Sequence, residues 1–159
     1  MGILINLYRV KKAESFEELT DFQNELDKAN ASKVNLHKLA GDICMIFNNN
    51  TDLYKETNTI PYKMIFGHQI EKTIGTREIY GFLPTLEVKQ IVDWIQQNKI
   101  DTESGFFNVY ENTLQEVKEE LEYWDSPDKT ELYENYIKPL TDFYFVALKE
   151  ENAIIITGE

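Results

Sequence analysis

A chain of 159 residues, 42% hydrophobic and 13% aromatic, is long enough to bury one core without disulfide or metal staples and too apolar to be disordered. Its formal charge of −12 argues against binding to a nucleic-acid backbone, which needs clustered Lys and Arg. No apolar run approaches the roughly 18 residues of a membrane span, and a single cysteine, Cys44, rules out an intrachain disulfide and gives no sign of an oxidising compartment.

The first residues, Met1 to Leu7, are apolar but lack a basic stretch and a small-residue cleavage site. They lead into a strand over 3–9 and do not form a signal peptide. Gly2 is a poor myristoylation site, because position 6 is Asn where Ser or Thr is wanted. Ser15-Phe16-Glu17-Glu18 has the form of a capping box, and Phe16, Leu19, Phe22, Leu26 and Ala29 follow at helical spacing, which predicts a helix ending near 29. A second helix is predicted over 33–48, with Leu36, Leu39, Ala40, Ile43, Ile46 and Phe47 on one face. Cys44 sits in that apolar run and reads as a small buried hydrophobe. Asn48 to Asp52 end the helix, and a loop rich in Asn and Thr runs to Pro61.

Tyr62 to Phe66 is predicted as a strand. Gly67 to Arg77 is predicted as a loop, with Gly67 relieving a tight turn, and Ile79 to Leu83 as a third strand. Pro84-Thr85 opens a helix carrying Val88, Ile91, Val92 and Ile95, and a hinge follows at 98–105. Tyr110, Leu114, Val117, Leu121 and Trp124 predict a helix with a narrow apolar seam. Ser126-Pro127-Asp128 is a helix start, with Ser126 as cap, for a stripe of Leu132, Tyr136, Leu140, Phe143 and Ala147 that Pro139 should kink. After a turn at Glu150-Glu151-Asn152, Ala153 to Thr157 reads as a closing strand, central in its sheet. The first two helices come together, as do the last two. That order favours an α+β fold, with one domain over 1–159 and a small mixed sheet of about four strands packed against about five helices.

Four stretches in this order resemble the YfbM-like family of uncharacterised bacterial proteins: Val34-Asn35-Leu36-His37-Lys38, Ile65-Phe66-Gly67-His68-Gln69-Ile70, Tyr80-Gly81-Phe82-Leu83-Pro84-Thr85 with Val88, and Leu140-Thr141-Asp142-Phe143-Tyr144 with Ala147 and Ala153-Ile154-Ile155-Ile156. The resemblance covers nearly the whole chain. It departs from the family where a Trp often stands at Ala40 and a second Gly at His68. It implies an α+β fold and a bacterial, cytoplasmic origin, and no activity.

Charge is divided unevenly. Residues 1–100 hold 13 acids and 12 bases, while residues 101–159 hold 15 acids and only 4 bases. If that excess gathers on one face, Glu116, Glu119, Glu120 and Glu122 with Tyr123 would steer and anchor a basic protein partner, as a toxin-blocking immunity protein would. Tyr123, Tyr133 and Phe145 lie off the helical stripes and are the aromatics expected at such a surface. The alternative is a small-ligand module or enzyme with a pocket near Gly67, His68 and Tyr80, where loops meet the sheet.

Other chemistries have little support. The only histidines, His37 and His68, stand in no metal-ligand spacing, even with Asp42 added. Glu116 and Glu120 are four apart but read as solvated, so no acid–base pair is expected. Gly67 and Gly75 form no phosphate-binding fingerprint, and no nucleophile elbow is present. The sequence therefore assigns no catalytic residue, metal or cofactor, and leaves oligomeric state open.

Overall fold

A five-stranded sheet organises the molecule, with strand order β2-β1-β5-β4-β3 and every pairing antiparallel. The strands are β1 (Ile5–Val10), β2 (Val34–His37), β3 (His68–Ile74), β4 (Arg77–Leu83) and β5 (Ala153–Gly158). The computed structural model describes residues 3–53, 55, 57–74 and 77–159. Gly2 and Gly75 lie outside the described residues. The α+β class holds, but the sheet is antiparallel throughout and not mixed, and it has one strand more than expected.

β5 is central and buried along its whole length. Its alternate side chains feed two cores. Ile154 and Ile156 join Ile5, Leu7 and Leu83 in the larger one, while Ala153 and Ile155 join Tyr8, Val10 and Phe82 in the smaller one. An unbroken apolar run is what a strand covered on both faces requires. The smaller core is covered by a 3-10 turn (Phe16–Glu18) and α1 (Phe22–Ala29). The larger is covered by α2 (Ala40–Asn48), α3 (Ile60–Phe66), α4 (Thr85–Asn98), α5 (Glu103–Glu111), α6 (Gln115–Tyr123), α7 (Lys129–Leu132) and α8 (Lys138–Lys149).

Several boundaries differ from the sequence reading, each for a local reason. The first predicted helix begins only at Phe22, because Asp21 and not Ser15 caps it, accepting from the Asn24 amide. Glu18 does reach back, but to the amide of Glu14. Residues 34–37 form β2 instead of the start of a helix. His37 turns the chain in the left-handed region (φ 51°), and α2 begins after it. Residues 60–66 are a helix and not a strand, because Thr59 caps α3 through the Tyr62 amide and Pro61 occupies its first turn. The predicted loop after Gly67 is edge strand β3.

The helix expected through Tyr110 to Trp124 is two helices. The break falls at Leu114, whose amide donates to the Asn49 side chain at 2.6 Å. Asp128, not Ser126, caps α7. Pro139 distorts its helix as expected, but through a π-helical turn (Tyr133–Ile137) in which the Lys138 amide reaches back to Tyr133 O. A proline that cannot donate leaves its preceding turn free to widen.

Candidate functional site

The β2–α2 corner and the end of α3 stand over one end of the sheet and leave a cavity of about 610 Å³. Ile3, Ile5 and Tyr80 rise from the sheet side, Tyr62 and Phe66 from α3, and Ala40 and Gly41 from the first turn of α2, with Leu53, Thr57, Gly67, Gln69 and Lys38 completing the lining. Of the two residues singled out for this region, Tyr80 lines the cavity and His68 does not. Alternation along β3 turns His68 toward α4, where its Nε2 lies 2.5 Å from Glu87 Oε2, and Lys63 pairs with the same carboxylate at 3.3 Å.

Backbone geometry shapes the rim. Gly67 ends α3 at φ 63° and ψ −162°, a conformation open to glycine and strained for other residues. This places Phe66 and Gly67 directly against β4, where Gly81 passes under the Phe66 carbonyl. The Tyr80 hydroxyl donates to Glu78 at 2.7 Å, and that bond pushes the phenol above its ordinary value. Tyr62 and Phe66 stack obliquely at 4.9 Å.

The acidic surface is built differently. Within α6, Glu116, Glu119, Glu120 and Tyr123 fall at i, i+3, i+4 and i+7, opposite buried Val117 and Leu121. Tyr123 and Trp124 are 77% and 65% exposed, and their rings meet edge to face at 5.0 Å. Glu120 is half-buried and accepts from Trp124 Nε1 at 3.0 Å, whereas Glu116, Glu119 and Glu122 are exposed. Lys129 and Lys118 both engage Glu111 instead, at 2.6 Å on its carboxylate and 2.9 Å on its carbonyl. Tyr133 is not a surface aromatic: it is buried and donates to Asp101 O. Phe145 is partly buried against the larger core.

Over 98% of its length, and 99% of the other chain, the molecule superposes on the crystal structure of YfbM, a protein of unknown function from Escherichia coli, with a TM-score of 0.58 and 12% identity. The chain has the YfbM fold. No family model and no curated protein matches it by sequence.

On the YfbM fold, the two histidines stand far apart. His37 ends edge strand β2 and lies edge-on to Tyr136, while His68 begins the opposite edge strand, with three strands between. Among the described residues, no group of three or more His, Cys, Asp or Glu is placed to hold a metal ion, and no helix is long and apolar enough to cross a membrane. Cys44 is fully buried. Sequence reasoning missed Lys38, Gly41 and Tyr62, because it placed the first two inside a helix and the third on a strand. The cap at Thr59 with Pro61 was the signal available for Tyr62.

Among the described residues, Asp42, in the first turn of α2, is the one carboxylate held above its ordinary 3.8, chiefly by burial and further by the charge of Glu120. A carboxyl raised by folding penalises the folded state once ionised, and the penalty vanishes below 3.8 where both states are protonated. Asp42→Asn is therefore expected to raise the melting temperature at pH 7 and to lose that advantage on acidification to pH 3 in calorimetry. A gain independent of pH would refute the burial account.

Proposed function

We propose that the protein is a cytoplasmic small-molecule-binding protein whose ligand occupies the cavity between the β2–α2 corner, α3 and β4. The cavity carries this reading. Ligand sites are concave, mostly apolar and roughly 300–1,000 Å³, with few polar groups to fix orientation, and 610 Å³ lies within that range. Apolar contact comes from Ile3, Ile5, Leu53 and Phe66, and polar contact from Gln69, Thr57, Lys38 and the tyrosines. The test is a thermal-shift screen against a metabolite panel. A true ligand at a hundred times its dissociation constant should add about 2.7 kcal/mol, or roughly 5–10 °C at this chain length. A ligand that stabilises Tyr80→Ala as well as the parent binds elsewhere.

A second reading is favoured by Tyr123 and Trp124, two large aromatics left exposed beside Glu116, Glu119 and Glu122, which have no ion-pair partner among the described residues. Exposed aromatics ringed by uncompensated carboxylates suit a basic protein partner, approached through charge and anchored by the rings. Retention of native-extract partners at low salt by Tyr123→Ala/Trp124→Ala, at parental levels, would remove this reading.

A further inference from the structure

Resting on the cavity as a ligand site, we infer that its ligand is an amphipathic organic anion: a flat apolar body with one carboxylate, sulfonate or phosphate head. The chain carries −12, so most of its surface repels anions. The cavity runs against that trend. Among the described residues, Lys38 is its one charged lining residue, and no acid lines it. Lys38 is exposed at the mouth and has no carboxylate partner among the described residues.

Next to Lys38, the cavity reaches the first turn of α2 at Ala40 and Gly41. Leu39 stands at the cap position and offers no side-chain acceptor. The partial positive charge of the helix start adds to that of the lysine. Gly41 has no side chain to block the approach, and even one carbon there would press on Leu53 Cδ1 at 3.1 Å. The head group is thus placed at the α2 end. Tyr62, Phe66, Ile5 and Leu53 define the other end, which is apolar and lined by rings. An uncharged ligand would gain nothing from the charge of Lys38, and a cation would meet a positive mouth.

The test uses two fluorescent probes sharing one ring system, anilinonaphthalene sulfonate and uncharged N-phenylnaphthylamine, titrated into the full chain. The anionic probe should bind about tenfold or more tightly, the scale of one charge-assisted hydrogen bond. Lys38→Gln should erase that preference and leave the neutral probe within about twofold, while Leu53→Trp, which fills the cavity, should abolish both signals. Should Leu53→Trp fail to fold, Gln69→Trp at an exposed strand position serves instead. Equal affinity for the two probes, both lost on filling the cavity, overturns the anion preference and leaves the ligand site standing. Probe binding that survives both filling variants, or no binding at all, overturns the ligand site as well.

Discussion

Phe106→Ala should lower the stability of the folded chain by about 3–5 kcal/mol, a fall of roughly 6–20 °C in melting temperature. Phe106 is fully buried on α5 and is the hub of an aromatic cluster. Its ring lies edge-on to Phe47 and to Tyr110 at 6.2 Å, stacks on Tyr133 at 6.2 Å, and approaches Phe107 at 6.4 Å. These partners come from α2, α5 and the π turn, so the cavity left by truncation would be bounded by three separately anchored elements that cannot collapse together. Each ring pair also contributes beyond simple burial, about 0.5–1.5 kcal/mol. Urea unfolding should show a lower midpoint with an unchanged slope. A loss under about 1 kcal/mol would mean that the site relaxes, contrary to this account.

Gly81→Ala should be nearly as damaging, at about 3 kcal/mol, the upper end for overpacking. A methyl carbon there would stand 1.8 Å from the Phe66 carbonyl oxygen and 2.9 Å from its carbon. Both obstacles are backbone, so β4 and the end of α3 must separate to admit it. Gly158→Ala provides the contrast. Its added carbon would fall against the Tyr80 ring and Ile3 Cγ2, which are side chains and not backbone. Gly158→Ala should therefore cost clearly less in the same denaturation experiment. Equal losses would show that close backbone approach is not what Gly81 provides.

Elements defined by their own residues were legible in the sequence. α4 shows its stripe, and β5 shows the unbroken apolar run of a strand covered on both faces. The failures share a physical cause. Leu36 of β2 and Ile43 of α2 enter the same core from a strand and a helix joined by one left-handed residue, so their spacing imitates a continuous helix. Pro61 to Phe66 is apolar enough to imitate a strand, and only the cap at Thr59 distinguishes it. β3 lies at the sheet edge, and its sequence His68-Gln69-Ile70-Glu71-Lys72-Thr73-Ile74 carries no clear apolar alternation. The break at Leu114 depends on Asn49, which is 65 residues away in the chain and beyond any local pattern.

The candidate site was half legible for the same reasons. Tyr80 and Gly67 sit beside a strand whose position was read correctly. Lys38 and Gly41 reach the cavity only because the chain turns sharply at His37, which the apolar spacing conceals. Tyr123 was correctly placed outside the buried stripe of α6, but Tyr133 was not. It lies in the widened turn before Pro139, where a regular helical projection misplaces side chains.

The central place of β5 has a consequence for how the molecule is made. β1 pairs through Leu7 with Ile156, and β4 pairs through Phe82 with Ile155, so the two halves of the sheet meet only through a strand synthesised after both. A ribosome releasing this chain holds a β1–β2 pair and a β3–β4 hairpin, each with an unpaired backbone edge and nothing to join them. Such long-range closure folds slowly, which makes the interval before residue 153 emerges the time when holdase chaperones matter most to its yield.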